Sequence, residues 1–168
     1  MLATAIQKLS QHPVLVRALL KDVQEEQLRW KPSENEWSML EVIYHLYDEE
    51  KEDFRMRFKL TLENPDTNWP PIDPEGWVTA RGYNNGALDT ALSGFLKERE
   101  ASLAYLKSLG APDLGKRHKH PAGFWLSAGD LLASWVAHDL LHIRQLTRLQ
   151  YQYWQAEQPN DARYAGTW

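Results

Sequence analysis

Leu131-Leu132-Ala133-Ser134-Trp135-Val136-Ala137-His138-Asp139-Leu140-Leu141-His142-Ile143-Arg144-Gln145-Leu146 is the stretch whose reading decides the fold. Its residues Leu131, Trp135, His138, His142 and Gln145, continued by Leu149 just beyond it, recur at three and four, so they share one face of a helix. That face is apolar except in its middle, where two imidazoles stand one turn apart. A second stretch repeats the theme nearly a hundred residues earlier. In Trp37-Ser38-Met39-Leu40-Glu41-Val42-Ile43-Tyr44-His45-Leu46 a single histidine sits among core-type residues. An imidazole in a core costs stability unless its ring nitrogens find partners. One reading of His138 and His142 is two satisfied core histidines bonded to backbone or water. The other is three nitrogen ligands on one divalent transition metal. Three histidines leave a coordination position open, the pattern of catalytic rather than structural sites.

Working outward, four long helical patterns and no strand are expected. The first covers about Leu2 to Leu28, with Pro13 bending or restarting it. The second opens at Ser38, where Ser38 and Glu41 form a capping box, and runs to about Leu62 before Asn64-Pro65-Asp66. The third covers about Ala87 to Leu109 and stops at Gly110. The fourth starts with a second Ser-x-x-acid signal, Ser127 with Asp130, and runs to about Trp154. Helices of this length span roughly 35 to 40 Å. The connection from Asn64 to Gly86 holds four prolines and three glycines. It is long enough to cross a bundle if the second and third helices run parallel, and it is a candidate cover for a site. The segment Ala111 to Leu126 reads as irregular, and Lys116-Arg117-His118-Lys119-His120 as a solvated loop.

Composition bounds the rest. The chain has 168 residues, 43% apolar and 25% charged, with a net charge of −4. Residues 1–168 read as one domain, and no basic patch points to nucleic acid. No apolar run is long enough to span a membrane and no secretory signal opens the chain, so a cytoplasmic protein is expected. There is no cysteine, so any metal is held by nitrogen and oxygen. Eight tryptophans and seven tyrosines are many for this length. Most are expected to plug the ends of a bundle, including Trp168, and some to line a pocket.

Taken together, Trp30-Lys31-Pro32, the stretch from Trp37 to Glu50, Arg81-Gly82-Tyr83-Asn84 with Phe95-Leu96-Lys97-Glu98-Arg99-Glu100, and His138 to Leu146 resemble the DinB/YfiT-like superfamily of metal-dependent enzymes. The resemblance covers nearly the whole chain. It implies an all-α, up-down-down-up four-helix bundle with a long crossover between the second and third helices. It also implies a nickel or zinc ion on the positions His45, His138 and His142. Relatives in that family use low-molecular-weight thiols such as bacillithiol or mycothiol, and many form homodimers. A small-molecule substrate and a homodimer are therefore expected, with no nucleic-acid or membrane partner. The string from His138 to His142 is also similar to the His-Glu-x-x-His helix of zinc proteases. It departs from that pattern at Asp139, one methylene too short, and in lacking a nearby third ligand.

Three functions follow as alternatives. In a thiol-linked transferase the ion favours the thiolate of a small co-substrate, since the chain has no thiol of its own. In a hydrolase the ion lowers the pKa of a bound water, with Glu49 or Asp139 as the base. In the third, the bundle binds metal without catalysis, as a stress-associated module. Candidate residues around the ion are Glu49 and Gln145 in the interior, with Asp48 and Asp139 read as solvated surface. Arg81 is a candidate partner for a substrate carboxylate, or else an ordinary loop arginine. Trp77 and Tyr83 are candidate pocket walls.

Overall fold

The computed structural model of the chain describes residues 1–166. Its elements run α1 (Leu2–Leu20), α2 (Glu25–Arg29), α3 (Met39–Asp48), a π-helical segment (Glu49–Phe54), α4 (Arg55–Glu63), α5 (Pro74–Ala80), a 3-10 turn (Tyr83–Asn85), α6 (Leu88–Ser108), β1 (Arg117–Lys119), β2 (Trp125–Ser127), α7 (Ala128–Glu157) and a 3-10 turn (Arg163–Ala165). The segment from α3 to α4 is one continuous rod. With α1, α6 and α7 it makes a four-helix bundle. Trp168 lies outside the described residues.

Contacts fix the direction of each rod. Tyr44 meets Ala87 and Tyr105 meets Glu63, so the second rod and α6 run parallel. Met1 lies against Gly129, His12 bonds Asp139 and Gln150 bonds the Leu19 carbonyl, so α1 and α7 also run parallel. Trp135 bonds Glu50 while Arg148 faces Glu36, so the second rod and α7 are antiparallel. The order is therefore up-down-down-up. Two parallel neighbours force the chain to travel back along the bundle between α4 and α6. This gives the long crossover its geometric reason.

Local signals set the ends of the rods. Both capping boxes form, Ser38 with Glu41 and Ser127 with Asp130. Gly110 takes φ +62 just past α6, a conformation that glycine adopts without a Cβ penalty. The first helix breaks elsewhere than expected. α1 passes straight through Pro13, and the break comes at Lys21 and Asp22, where Asp22 adopts φ +59. The proline is tolerated for a traceable reason. A proline at 13 leaves the carbonyl of Leu9 without its helical donor. Arg99 Nη1 supplies one at 3.0 Å.

Two further departures lie in the connections. The crossover is partly helical, since Asp73 caps α5 by accepting from the Gly76 amide and Pro74 stands where its missing N–H costs nothing. The stretch read as a solvated loop is a β-hairpin. Arg117 pairs with Ser127, His118 with Leu126 and Lys119 with Trp125. Its turn closes by His120 N–H to Phe124 O (2.7 Å) and Gly123 N–H to His120 O (2.8 Å), with Gly123 at φ +96. Three-residue strands are too short for alternation to reveal them. His118 is buried between the Lys119 and Thr67 carbonyls, so the hairpin is tied to the crossover.

The core is two apolar halves. One gathers Val16, Leu20, Met39, Leu40, Ile43, Phe95 and Leu146, and the other Leu9, Phe58, Leu62, Leu106, Leu132 and Trp135. Between them lies a buried polar belt of His12, Glu50, Arg99 and Asp139. Arg99 is 1% exposed. It binds Glu50 through Nε (2.8 Å) and Nη2 (2.7 Å), and Asp139 through Nη1 (2.6 Å) and Nη2 (2.9 Å). His12 Nδ1 lies 2.8 Å from Asp139, and the Trp135 indole donates to Glu50 at 2.8 Å. Every carboxylate in the belt is matched by donors, the condition under which buried charge is tolerated.

Candidate metal centre

His45 is placed by α3, and its ring meets α7 because the two rods are antiparallel. His138 and His142 reach it from successive turns of α7. His45 Nε2 and His138 Nε2 are 3.1 Å apart, as are His142 Nε2 and His138 Nε2. One nitrogen from each ring lies within 4.8 Å of the others. Two imidazole nitrogens on one ion, at bonds of about 2.0–2.1 Å, stand about 3.0–3.4 Å apart, so the spacing fits a shared cation.

Protonation fits as well. Burial pushes the His45 imidazole down to about 2, with His142 and His138 adding to the shift. Burial, then His142, brings His138 to about 3, and burial also lowers His142. All three rings are thus neutral at physiological pH, the form that binds metal. His142 Nδ1 lies 2.7 Å from Gln145 Oε1, so an Nδ1–H donating there leaves the Nε2 lone pair pointing at the cluster. His45 Nδ1 is buried with no hydrogen-bond partner. Neutral nitrogen donors converging on one point suit a divalent ion.

Aromatic rings close both ends of the cluster. The Trp37 ring lies 4.8 Å from His45 and parallel to His142 at 6.3 Å. Phe54 lies 4.8 Å from His138. On the second rod, residues 45, 49, 53 and 57 follow at intervals of four, so His45 leads into Glu49, Asp53 and Arg57. Glu49 is 4% exposed, and its carboxyl faces that of Asp53. Burial raises Glu49 to about 8, with the Asp53 charge adding to the shift. Burial also raises Asp53, against the pull of Arg57, whose Nε lies 2.7 Å from Asp53 Oδ1. Two carboxyls in one buried site hold a proton between them at neutral pH. Asp53 and Arg57 went unread in the sequence, although the interval of four from His45 is visible there.

Other candidates lie elsewhere. Asp139 and Asp48 are buried, not solvated. Burial would raise Asp139, but Arg99 and His12 outweigh it and hold the carboxyl below its ordinary range. Asp139 is in the belt behind His138, outside the group of converging ligand atoms. Its side chain follows the α1 and α6 side of α7, which a one-residue step from His138 dictates. Arg81 binds Asp48 Oδ2 (2.6 Å) and Glu52 (3.0 and 3.1 Å), and stacks on Trp77 at 4.0 Å. Tyr83 donates to Asp48 and stacks on Tyr44 at 5.3 Å. Arg81, Trp77 and Tyr83 therefore pack on the neighbouring stripe of the second rod instead of walling the imidazoles. The crossover residues that do reach a cavity beside the site stripe are Asn68, Trp69, Pro71 and Ile72.

The comparisons with known proteins agree with this geometry. The chain is similar to a protein of Oceanobacillus iheyensis named "Putative metal-dependent hydrolase", 27% identical over 146 residues, covering 86% of this chain and 83% of that one. Among solved structures it resembles YfiT from Bacillus subtilis, described as "a probable metal-dependent hydrolase with an unusual four-helix bundle topology". That match has a TM-score of 0.81 at 21% identity and covers 90% of this chain and 87% of the other. It bears on the fold. A family model for the DinB superfamily matches residues 8–146, a span that runs from α1 into α7 and takes in His45, His138 and His142. By that match, and with the bundle topology to go with it, the chain belongs to the DinB superfamily.

Proposed function

We propose that the chain is a metal-dependent enzyme, with His45, His138 and His142 holding one divalent ion, zinc or nickel, and that it hydrolyses a small-molecule substrate. The observation that carries this reading is the convergence of three neutral imidazoles from two helices. An ion held by these three neutral ligands would supply Lewis-acid chemistry to a bound group. The chain's own residues supply the rest. Gln145 fixes the tautomer of His142. Trp37 and Phe54 keep bulk water from the flanks. The Glu49–Asp53 pair gives the proton it holds to the leaving group and takes up in its place the proton of the attacking water. The names carried by the two relatives support hydrolysis as the reaction class.

A second reading, transfer of a low-molecular-weight thiol, is favoured by one observation. Burial and the Asp53 charge raise the Glu49 carboxyl well above the usual carboxylate range, toward that of a thiol, so it can exchange a proton with one. With no cysteine in the chain, that thiol is a co-substrate.

The test has two stages. Elemental analysis of purified protein is expected to find one divalent ion per chain, absent from the His45→Ala/His138→Ala/His142→Ala variant. Equal metal in both would overturn the site. Metal-loaded protein is then offered esters and amides alone, and electrophiles with a thiol. Turnover without thiol that is lost in His45→Ala supports hydrolysis. Turnover only with thiol replaces it by transfer.

A further inference from the structure

We propose that the cavity between α4, the crossover and the β1–β2 hairpin binds the carboxylate end of the substrate, which is an organic monoanion with an apolar body. This rests on the metal-dependent reading above and names the substrate class for that site. The cavity is about 550 Å³, ample for a small organic molecule, and its walls include Arg57, Asn68, Trp69, Ile72, Lys119 and His120.

Its walls are built rather than incidental. Trp69 is 5% exposed, and its ring is held between His118 (4.3 Å) and the Arg57 guanidinium (4.8 Å). The Trp69 indole N–H is buried, with no hydrogen-bond partner among the described residues. Arg57 is itself 8% exposed. Of the two cations at the cavity, Arg57 is partnered by Asp53, which leaves one positive charge in surplus on Lys119. A single surplus suits a monoanion such as a carboxylate. Ile72, Pro71 and Pro121 give the ligand an apolar surface.

The position gives the cavity its purpose. Arg57 in the cavity wall holds Asp53 at 2.7 Å, so the cavity lies next to the carboxyl pair. From Arg57 the stripe runs through Asp53 to Glu49 and His45. Arg57 and Glu49 are eight residues apart, about 12 Å along a helix. A ligand anchored at Lys119 and Arg57, with a body on the order of 10 Å, lays its far end beside the carboxyl pair and the imidazoles.

The experiment uses the purified full chain, its metal content measured before and after. Hexanoate is titrated while the Trp69 indole ¹H–¹⁵N resonance, assigned with Trp69→Phe, is followed. Hexanol, hexylamine and inorganic phosphate serve as separate arms. The expected result is a saturable shift with hexanoate, none with hexanol or hexylamine, and weaker binding of phosphate. Lys119→Glu, on an exposed position that leaves the core intact, is expected to weaken hexanoate at least about tenfold, or 1.4 kcal/mol. No saturable shift, equal binding of hexanol, tighter binding of phosphate, or an unchanged Lys119→Glu variant would each overturn the assignment. The two readings fail separately. A metal-free wild type sinks the ion site and leaves the titration interpretable, whereas a flat titration with metal retained sinks only the cavity.

Discussion

Glu49 shows how far burial can move a single carboxyl. Its folded-state pKa is raised from 4.5 to about 8, so the fold favours the protonated form. Stability from this group is complete below 4.5 and is lost as pH rises through 8. Thermal melts of metal-free protein should therefore fall in midpoint across that window, and Glu49→Gln should flatten the fall. In the loaded enzyme the same substitution removes a proton carrier, at an expected cost of about 10²- to 10⁴-fold in kcat. The histidines carry the opposite sign. His45 is depressed from 6.5 to about 2, so its contribution is full above 6.5 and is lost on acidification. Metal-free protein should lose melting temperature below pH 6.5. His45→Asn, which cannot titrate, should reduce that slope. A slope unchanged in the variant would place the acid sensitivity elsewhere.

At the scale of elements, the second rod matters most. Its π-helical turn from Glu49 to Phe54 sits where the His45–Glu49 stripe faces α7 and Phe54 packs on Trp135 and His138. Such wide turns are common at functional sites. Where this rod crosses α6, Gly94 leaves room for the Tyr47 ring. A Cβ at 94 would stand 2.8 Å from the Tyr47 ring. Gly→Ala in an open helix gains about 0.5–1 kcal/mol. Here the clash should win, and Gly94→Ala is expected to cost about 1–3 kcal/mol in urea unfolding. A stabilised variant would show that the crossing can relax. The rods themselves were legible in the sequence because caps and apolar periodicity are local. The hairpin, α5 and the wide turn were not, because each depends on what it packs against.

Across the whole molecule, Arg99 joins what the chain keeps apart. From α6 it reaches the Leu9 carbonyl of α1, Glu50 of the second rod and Asp139 of α7. Removing it leaves two buried carboxylates without the guanidinium they share. Arg99→Met is expected to destabilise the protein by about 3–5 kcal/mol. Adding Glu50→Gln and Asp139→Asn should recover part of that loss, since the uncompensated charges go with it. Denaturant midpoints of the single and triple variants check both statements. A triple variant no more stable than Arg99→Met would mean that the bonds, and not the charge balance, hold the belt.

Helical spacing by itself determined the four rods, their caps and the shared face of His138 and His142, because each is a relation between residues a few positions apart. It also put Gln145 one turn from His142, where the bond to the ring is found. What only the tertiary structure decided was which side chains meet across 29 to 127 positions of sequence. The binding of Asp139 by Arg99 and His12, the closed set of Arg81 with Asp48 and Glu52, and the cavity under the hairpin all belong to that class. Pairings of this kind arise when rods pack at a given level and direction, and no local periodicity encodes that level.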